Sequence, residues 1–210
     1  SVFDHLLLVF VGRTGHGWIN VSRDSEKREG MASPRYQKPA SCQGCVGYDW
    51  GQGFMPAAVG TGRNGVFLLG EALGEQEELR GEPFIGAAGF VLGQIMQRGG
   101  LKREDFAIGN CLSCRPPGNA LAGESYEQSA LESCRPNLDR QIQSKAPKVI
   151  VALGATAMRV ALGLDSKSPL AGRYGYRGFT EWSDRFGCWV IPTYHPSFVQ
   201  RGNFSLMGLV

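Results

Sequence analysis

The sequence predicts an α/β protein: a three-layer α/β/α sandwich around a short, four-stranded parallel sheet. Three observations carry that expectation. Four apolar runs of strand length recur at residues 66–69, 106–112, 149–153 and 189–194, and segments with helical character lie between them. Strands that alternate with helices run parallel through right-handed crossovers, with helices on both faces. Thirty glycines, about twice the usual ~7% share, supply the tight turns that such a chain needs.

Taken in order, residues 66–69 (VFLL) have the length and flanking glycines of a buried strand, and they run into a glycine-broken loop, GEALGEQEELRGEPFIGAAG. A helix is expected over residues 87–97. The second strand, 106–112, is followed by a helix over 125–144 with Leu131, Leu138 and Ile142 on one face. The third strand, 149–153, leads into a helix over 155–162, and the fourth strand ends just before His195. The glycine- and aromatic-rich stretch 167–182 reads as an irregular surface excursion.

A chain of 210 residues is most simply one domain with extensions, since ~100–200 residues per domain is usual. The apolar run 6–11 is far shorter than the ~20 residues of a membrane helix and is preceded by an acid, so no membrane span is expected. Residues 12–40 turn polar and glycine-rich around an internal Met31, so residues 1–30 read as an upstream extension to a domain over 31–210. The formal charge of +3 permits nucleic-acid binding without arguing for it. Six cysteines without a convincing secretory signal favour metal or redox use of thiols over disulfides, which makes a cytoplasmic setting the default.

Position singles out the candidate site. Open α/β sheets place ligands outside the carboxyl ends of their strands. Glu71 follows strand one, Asn110 ends strand two, Gly154 follows strand three and His195 follows strand four, so all of them gather at one sheet edge.

The segments around these residues carry a specific resemblance. GEALGEQEELRGEPFIGAAG, NCLSCRPPGN, CRPNLDRQI followed by PKVIVALGATA, and TYHPS resemble the successive motifs of the iron-sulfur, family-four type of uracil-DNA glycosylase, over about residues 42–201. Leu73 stands where that family usually has proline, which would leave the loop slightly less rigid. The resemblance implies an enzyme that flips uracil out of single- or double-stranded DNA and hydrolyses its N-glycosidic bond. It also implies a monomer and a terminal helix, which a chain ending at Val210 is expected not to carry in full. A non-catalytic iron-sulfur module that binds nucleic acid on the same scaffold is the alternative.

Residue chemistry supports the implied roles. A flipped base needs a stacking face and donors for its edge. Phe84 fits the stacking face, and Ala72 belongs to the same wall. The Asn110 amide matches the O4 and N3–H pattern of uracil and conflicts with the cytosine amine. His195 is, by resemblance, the donor to uracil O2 as negative charge develops there. Glu71 orients the attacking water or stabilises the positive sugar. For DNA, the amides around Gly86 and Gly89, and around Gly154 and Thr156, stand at helix starts that suit phosphate. Ser197, Phe198 and Arg201 follow the histidine where the resemblance places an intercalating loop. Gly74 carries no side chain with which to exclude a 5-methyl group.

Four cysteines, Cys42, Cys45, Cys114 and Cys134, match the family's ligands for one structural 4Fe-4S cluster. The pair Cys111 and Cys114 would instead make a second C-x-x-C for zinc, but positions alternate along a strand and send Cys111 to the core. Cys188 is expected to be buried beside strand four. One branch of the superfamily becomes covalently trapped through a basic, histidine-containing insertion after strand two; residues 118–124 here hold neither a histidine nor a basic run.

Overall fold

The computed structural model describes residues 38–51, 53–164 and 179–200, with the Gln200 side chain left aside. The expected extension at 1–30, most of the excursion at 167–182, Arg201 and the carboxyl end lie outside the described residues.

Five strands form one sheet: β1 (Val66–Gly70), β2 (Ala107–Asn110), β3 (Val149–Leu153), β4 (Glu181–Ser183) and β5 (Cys188–Thr193), in the order β2-β1-β3-β5-β4. Four of them are parallel, as expected, with Leu68 level with Ile108 and Val151, and Val151 level with Ile191. The expected four-stranded sheet is corrected to five. β4 pairs antiparallel with β5 at the edge, and Trp182 belongs to it rather than to an irregular loop. Only Ser183 of its three residues is buried, so no apolar run announced it. Ser183 Oγ donates to the Ala161 carbonyl at 2.6 Å and fastens this edge to the layer beneath.

The helices are α1 (Glu75–Arg80), α2 (Ala87–Arg98), α3 (Glu127–Lys145), α4 (Ala155–Leu162) and α5 (Pro196–Gln200). Every residue of β1 and β3 is buried, as central parallel strands require when both faces are covered. Alternate residues serve opposite layers. Val66, Leu68, Val149 and Val151 pack with Leu92 and Met96 of α2, whereas Phe67, Leu69, Ile150 and Ala152 pack with Leu138 and Ile142 of α3 and Ala157 and Met158 of α4. The three layers are therefore α2, the sheet, and the α3–α4 pair. Val199 of α5 is buried against Val91 and Ile95, which fixes the segment after β5 to α2. Among the described residues no helix is long and apolar enough to cross a membrane.

Candidate active site and cysteine clasp

The carboxyl ends of β1, β2, β3 and β5 open into a cleft of about 510 Å³. Glu71, Ala72, Phe84, Asn110, Gly154, Thr156, His195 and Ser197 all line it, so the structure brings together the residues singled out from the sequence.

Phe84 holds a left-handed backbone with φ of 53°, a conformation that a bulky residue seldom adopts unless its surroundings impose it. Those surroundings are visible. Glu77 Oε1 accepts the Ile85 and Gly86 N–H groups at 3.0 and 2.7 Å, and a Cβ on Gly89 would stand 1.9 Å from the Phe84 carbonyl oxygen. Gly70 is equally constrained, because its Cβ would meet Asn110 Oδ1 at 2.3 Å and Phe84 Cζ at 2.6 Å. The aromatic and the amide are thus seated over a bare backbone.

Asn110 is 1% exposed, and its Oδ1 has no hydrogen-bond partner among the described residues. Such an orphan costs roughly 1–3 kcal/mol and marks a place where a ligand donor would be welcome. His195 accepts the Ser197 N–H at Nδ1, 3.2 Å away, with Ser197 Oγ at 2.8 Å. A backbone N–H can only donate, so this contact favours the tautomer in which Nδ1 accepts and Nε2 carries the proton. The ring lies 5.7 Å from that of Phe84, and a Cβ on Gly154 would approach His195 Cβ to 3.1 Å. Glycine at 154, with φ of 96°, is what admits the histidine.

Glu71 Oε2 accepts the Thr156 hydroxyl at 2.7 Å. Burial pushes the Glu71 carboxyl above the usual carboxylate range; the Thr156 hydrogen bond and Arg159 pull it down, and Glu127 pushes it up. The two charged neighbours pair with each other, Arg159 Nη2 donating to Glu127 Oε1.

The expected phosphate contacts need correction at two amides. The Gly86 N–H is taken by Glu77, and the Gly154 N–H donates to the Thr193 carbonyl at 2.9 Å, so neither of these two amides is free to donate to a phosphate. Ser197 orients His195. Phe198 stacks on Tyr194 with centroids 5.0 Å apart and planes 2° from parallel, outside the cleft lining.

Sequence reasoning missed three residues. Glu77, only 8% exposed, staples the Phe84 loop. Asn119 lines the cleft in a left-handed backbone and accepts Arg115 Nε at 2.7 Å. Asn137 belongs to the second centre, described next. None had a signal, because each works by where the fold carries it.

Cys42, Cys45, Cys114 and Cys134 line one small cavity. Cys111 and Cys188 are buried in the sheet–α3–α4 core, as expected, which removes the second C-x-x-C from contention. Asn137 Nδ2 donates to Cys42 Sγ and Cys134 Sγ at 3.8 Å each, Ser113 N–H to Cys134 Sγ at 3.3 Å, and Gly47 N–H to Cys45 Sγ at 3.3 Å. Lys38 Nζ ties down the carbonyls of Gly47, Tyr48 and Trp50 at 2.9, 2.6 and 2.5 Å. Burial and then the neighbouring Cys134 push the Cys114 thiol up to about 12, and burial also raises Cys134. Donors to sulfur favour thiolates, so a cationic centre would complete the set by releasing protons. Among the described residues no three such side chains close around a point as a single ion demands.

This fold and cleft are those of the uracil DNA glycosylase superfamily, whose family model matches residues 58–207. The chain is 36% identical to a type-4 uracil-DNA glycosylase of Archaeoglobus fulgidus over 76% of its own length and 78% of the relative's. It is 32% identical to that of Saccharolobus solfataricus, over 74% and 71%, and 39% identical to that of Thermotoga maritima, over 65% and 66%. The chain belongs to the type-4 uracil-DNA glycosylase family.

Proposed function

We propose that this chain is a monofunctional DNA-repair glycosylase that excises uracil from single- or double-stranded DNA, acts as a monomer, and leaves an abasic site. The observation that carries the specificity is the buried, unpartnered Oδ1 of Asn110 beside the imposed Phe84 ring. Uracil stacks on Phe84, gives its N3–H to Asn110 Oδ1 and receives the Asn110 amide at O4. Cytosine presents an amine and a bare nitrogen at those positions and is rejected, because a buried polar group is left unpaired.

Water bonds to the sugar C1′ as the C1′–N1 bond breaks, and the bonding pair leaves with the uracil, its charge spreading to O2. His195 donates its Nε2–H to that oxygen, and a donor so placed is worth about 2.7–4 kcal/mol. Glu71 stabilises the positive sugar and then takes the proton of the water.

Cys42, Cys45, Cys114 and Cys134 hold one 4Fe-4S cluster as a structural clasp, since glycosidic hydrolysis moves no electrons. The donor set and the N–H donors around it support this.

Alanine at Asn110 or His195 is expected to lower single-turnover uracil excision at least ~100-fold with the thermal melt retained. Near-parental excision by both variants refutes the assignment.

A further inference from the structure

We propose that Thr156 is a positioning residue for Glu71, its hydroxyl locking one carboxylate oxygen so that the other is presented to water in the cleft. The proposal rests on the reaction just described. Thr156 is 1% exposed, and its Oγ1–H donates to Glu71 Oε2 at 2.7 Å. A hydroxyl placed there favours the carboxylate over the acid.

The hydroxyl is held where it is by the sheet. Thr156 stands in the first turn of α4, whose entry is fixed by the Gly154 N–H on the Thr193 carbonyl and by the φ of 96° at Gly154. Glu71 is fixed from the other side, its carbonyl accepting the Leu112 N–H at 2.9 Å. The segments that follow β1 and β3 therefore meet at this hydrogen bond.

The other groups around Glu71 do not replace it. From α4 comes Arg159 and from α3 comes Glu127, which are paired with each other and act on Glu71 in opposite directions. Cys111, at the end of β2, is a buried thiol raised by burial and then by Glu71 itself, so it is neutral. Asn110 and His195 share the cleft, and the histidine is bonded at Nδ1 to Ser197 rather than to Glu71. Among the described residues Thr156 is the one neighbour hydrogen-bonded to the Glu71 carboxylate, and removing it leaves burial to push the carboxyl further up.

The test compares T156V and T156S, with T156A in place of T156V should the latter not fold. Glu71 is titrated by carbon NMR in the DNA-free protein, and excision is measured across pH. In T156V the Glu71 carboxyl is expected to titrate at higher pH than in the parent. Excision kcat falls about 10- to 100-fold, the scale of one hydrogen bond to a charged group, with KM little changed. Because the reaction needs ionised Glu71, the acidic limb of kcat moves to higher pH. T156S, which keeps the hydroxyl, returns both readouts toward the parent, and T156V adds little once Glu71 is already glutamine. An unmoved titration and acidic limb in T156V, or a T156S as impaired as T156V, overturns the proposal. A parent chain that releases no uracil would instead overturn the reaction, and the titration would still decide whether Thr156 governs Glu71.

Discussion

The cleft and the cysteine clasp are joined by one short segment, Asn110 to Cys114, yet they treat their polar groups in opposite ways. At one end Asn110 keeps a buried oxygen without a partner, and Phe84 beside it keeps a left-handed backbone. At the other, Cys134 is met by Ser113 N–H and by Asn137, and Cys42 by the same Asn137. The cleft holds unmet capacity, which costs stability and awaits a ligand. The clasp meets three of its four sulfurs with donors from the protein, which fits a structural centre.

The largest test of that contrast sets the two ends against each other. C134A is expected to lose bound iron and, with it, several kcal/mol of folding free energy, a fall in Tm of ~10 °C or more at the ~2–4 °C per kcal/mol of a chain this size. N110A, in contrast, should abolish excision while the melt stays in place or rises, since it removes a buried acceptor that nothing satisfies. Iron analysis, calorimetry and an excision assay on both variants decide; a C134A that melts like the parent would end the clasp.

A smaller effect is expected at Gly70. A methyl there must displace Asn110 Oδ1 or the Phe84 ring, and a shift of ~1 Å at such groups costs about 100-fold in rate. G70A should therefore retain its iron and lose most excision. Smaller again is N137L, which removes the amide shared by two sulfurs and is expected to weaken metal retention ~10- to 100-fold against a chelator, the usual scale for groups that support ligands.

How much of this was legible in sequence follows from the same contrast. The cleft is built by topology: four apolar runs ending in Glu71, Asn110, Gly154 and His195 sufficed to place those residues together, because parallel strands end at one edge. Helix α4 over Ala155–Leu162 and strand β3 over Val149–Leu153 match expectation to the residue. What escaped was whatever depends on side chains crossing between elements. Glu77 sits in a short helix with three first-turn acids and no apolar stripe, so nothing marks it as the staple of the Phe84 loop. Thr156 drew notice for its helix-start amide, while its hydroxyl turned out to bond Glu71. β4 escaped because two of its three residues are exposed and only pairing with β5 defines it.

The smallest expected effect separates stability from chemistry at a single residue. Burial holds the Glu71 carboxyl above its ordinary range, so the folded chain keeps a proton there that the unfolded chain has already released. Between the unfolded and the folded pKa the native state binds more protons, and stability falls as pH rises through that window. Glutamine mimics the protonated side chain at all pH values. E71Q should therefore melt higher than the parent at neutral pH, and the difference should vanish as pH drops below the ordinary carboxylate range, where both states of the parent are protonated. Excision by E71Q should be lost at every pH. Melting curves of the two chains across pH check the sign: a destabilised E71Q, or a gain that persists in acid, would mean that the glutamate is held for its contacts rather than at a cost to the fold for the sake of its charge.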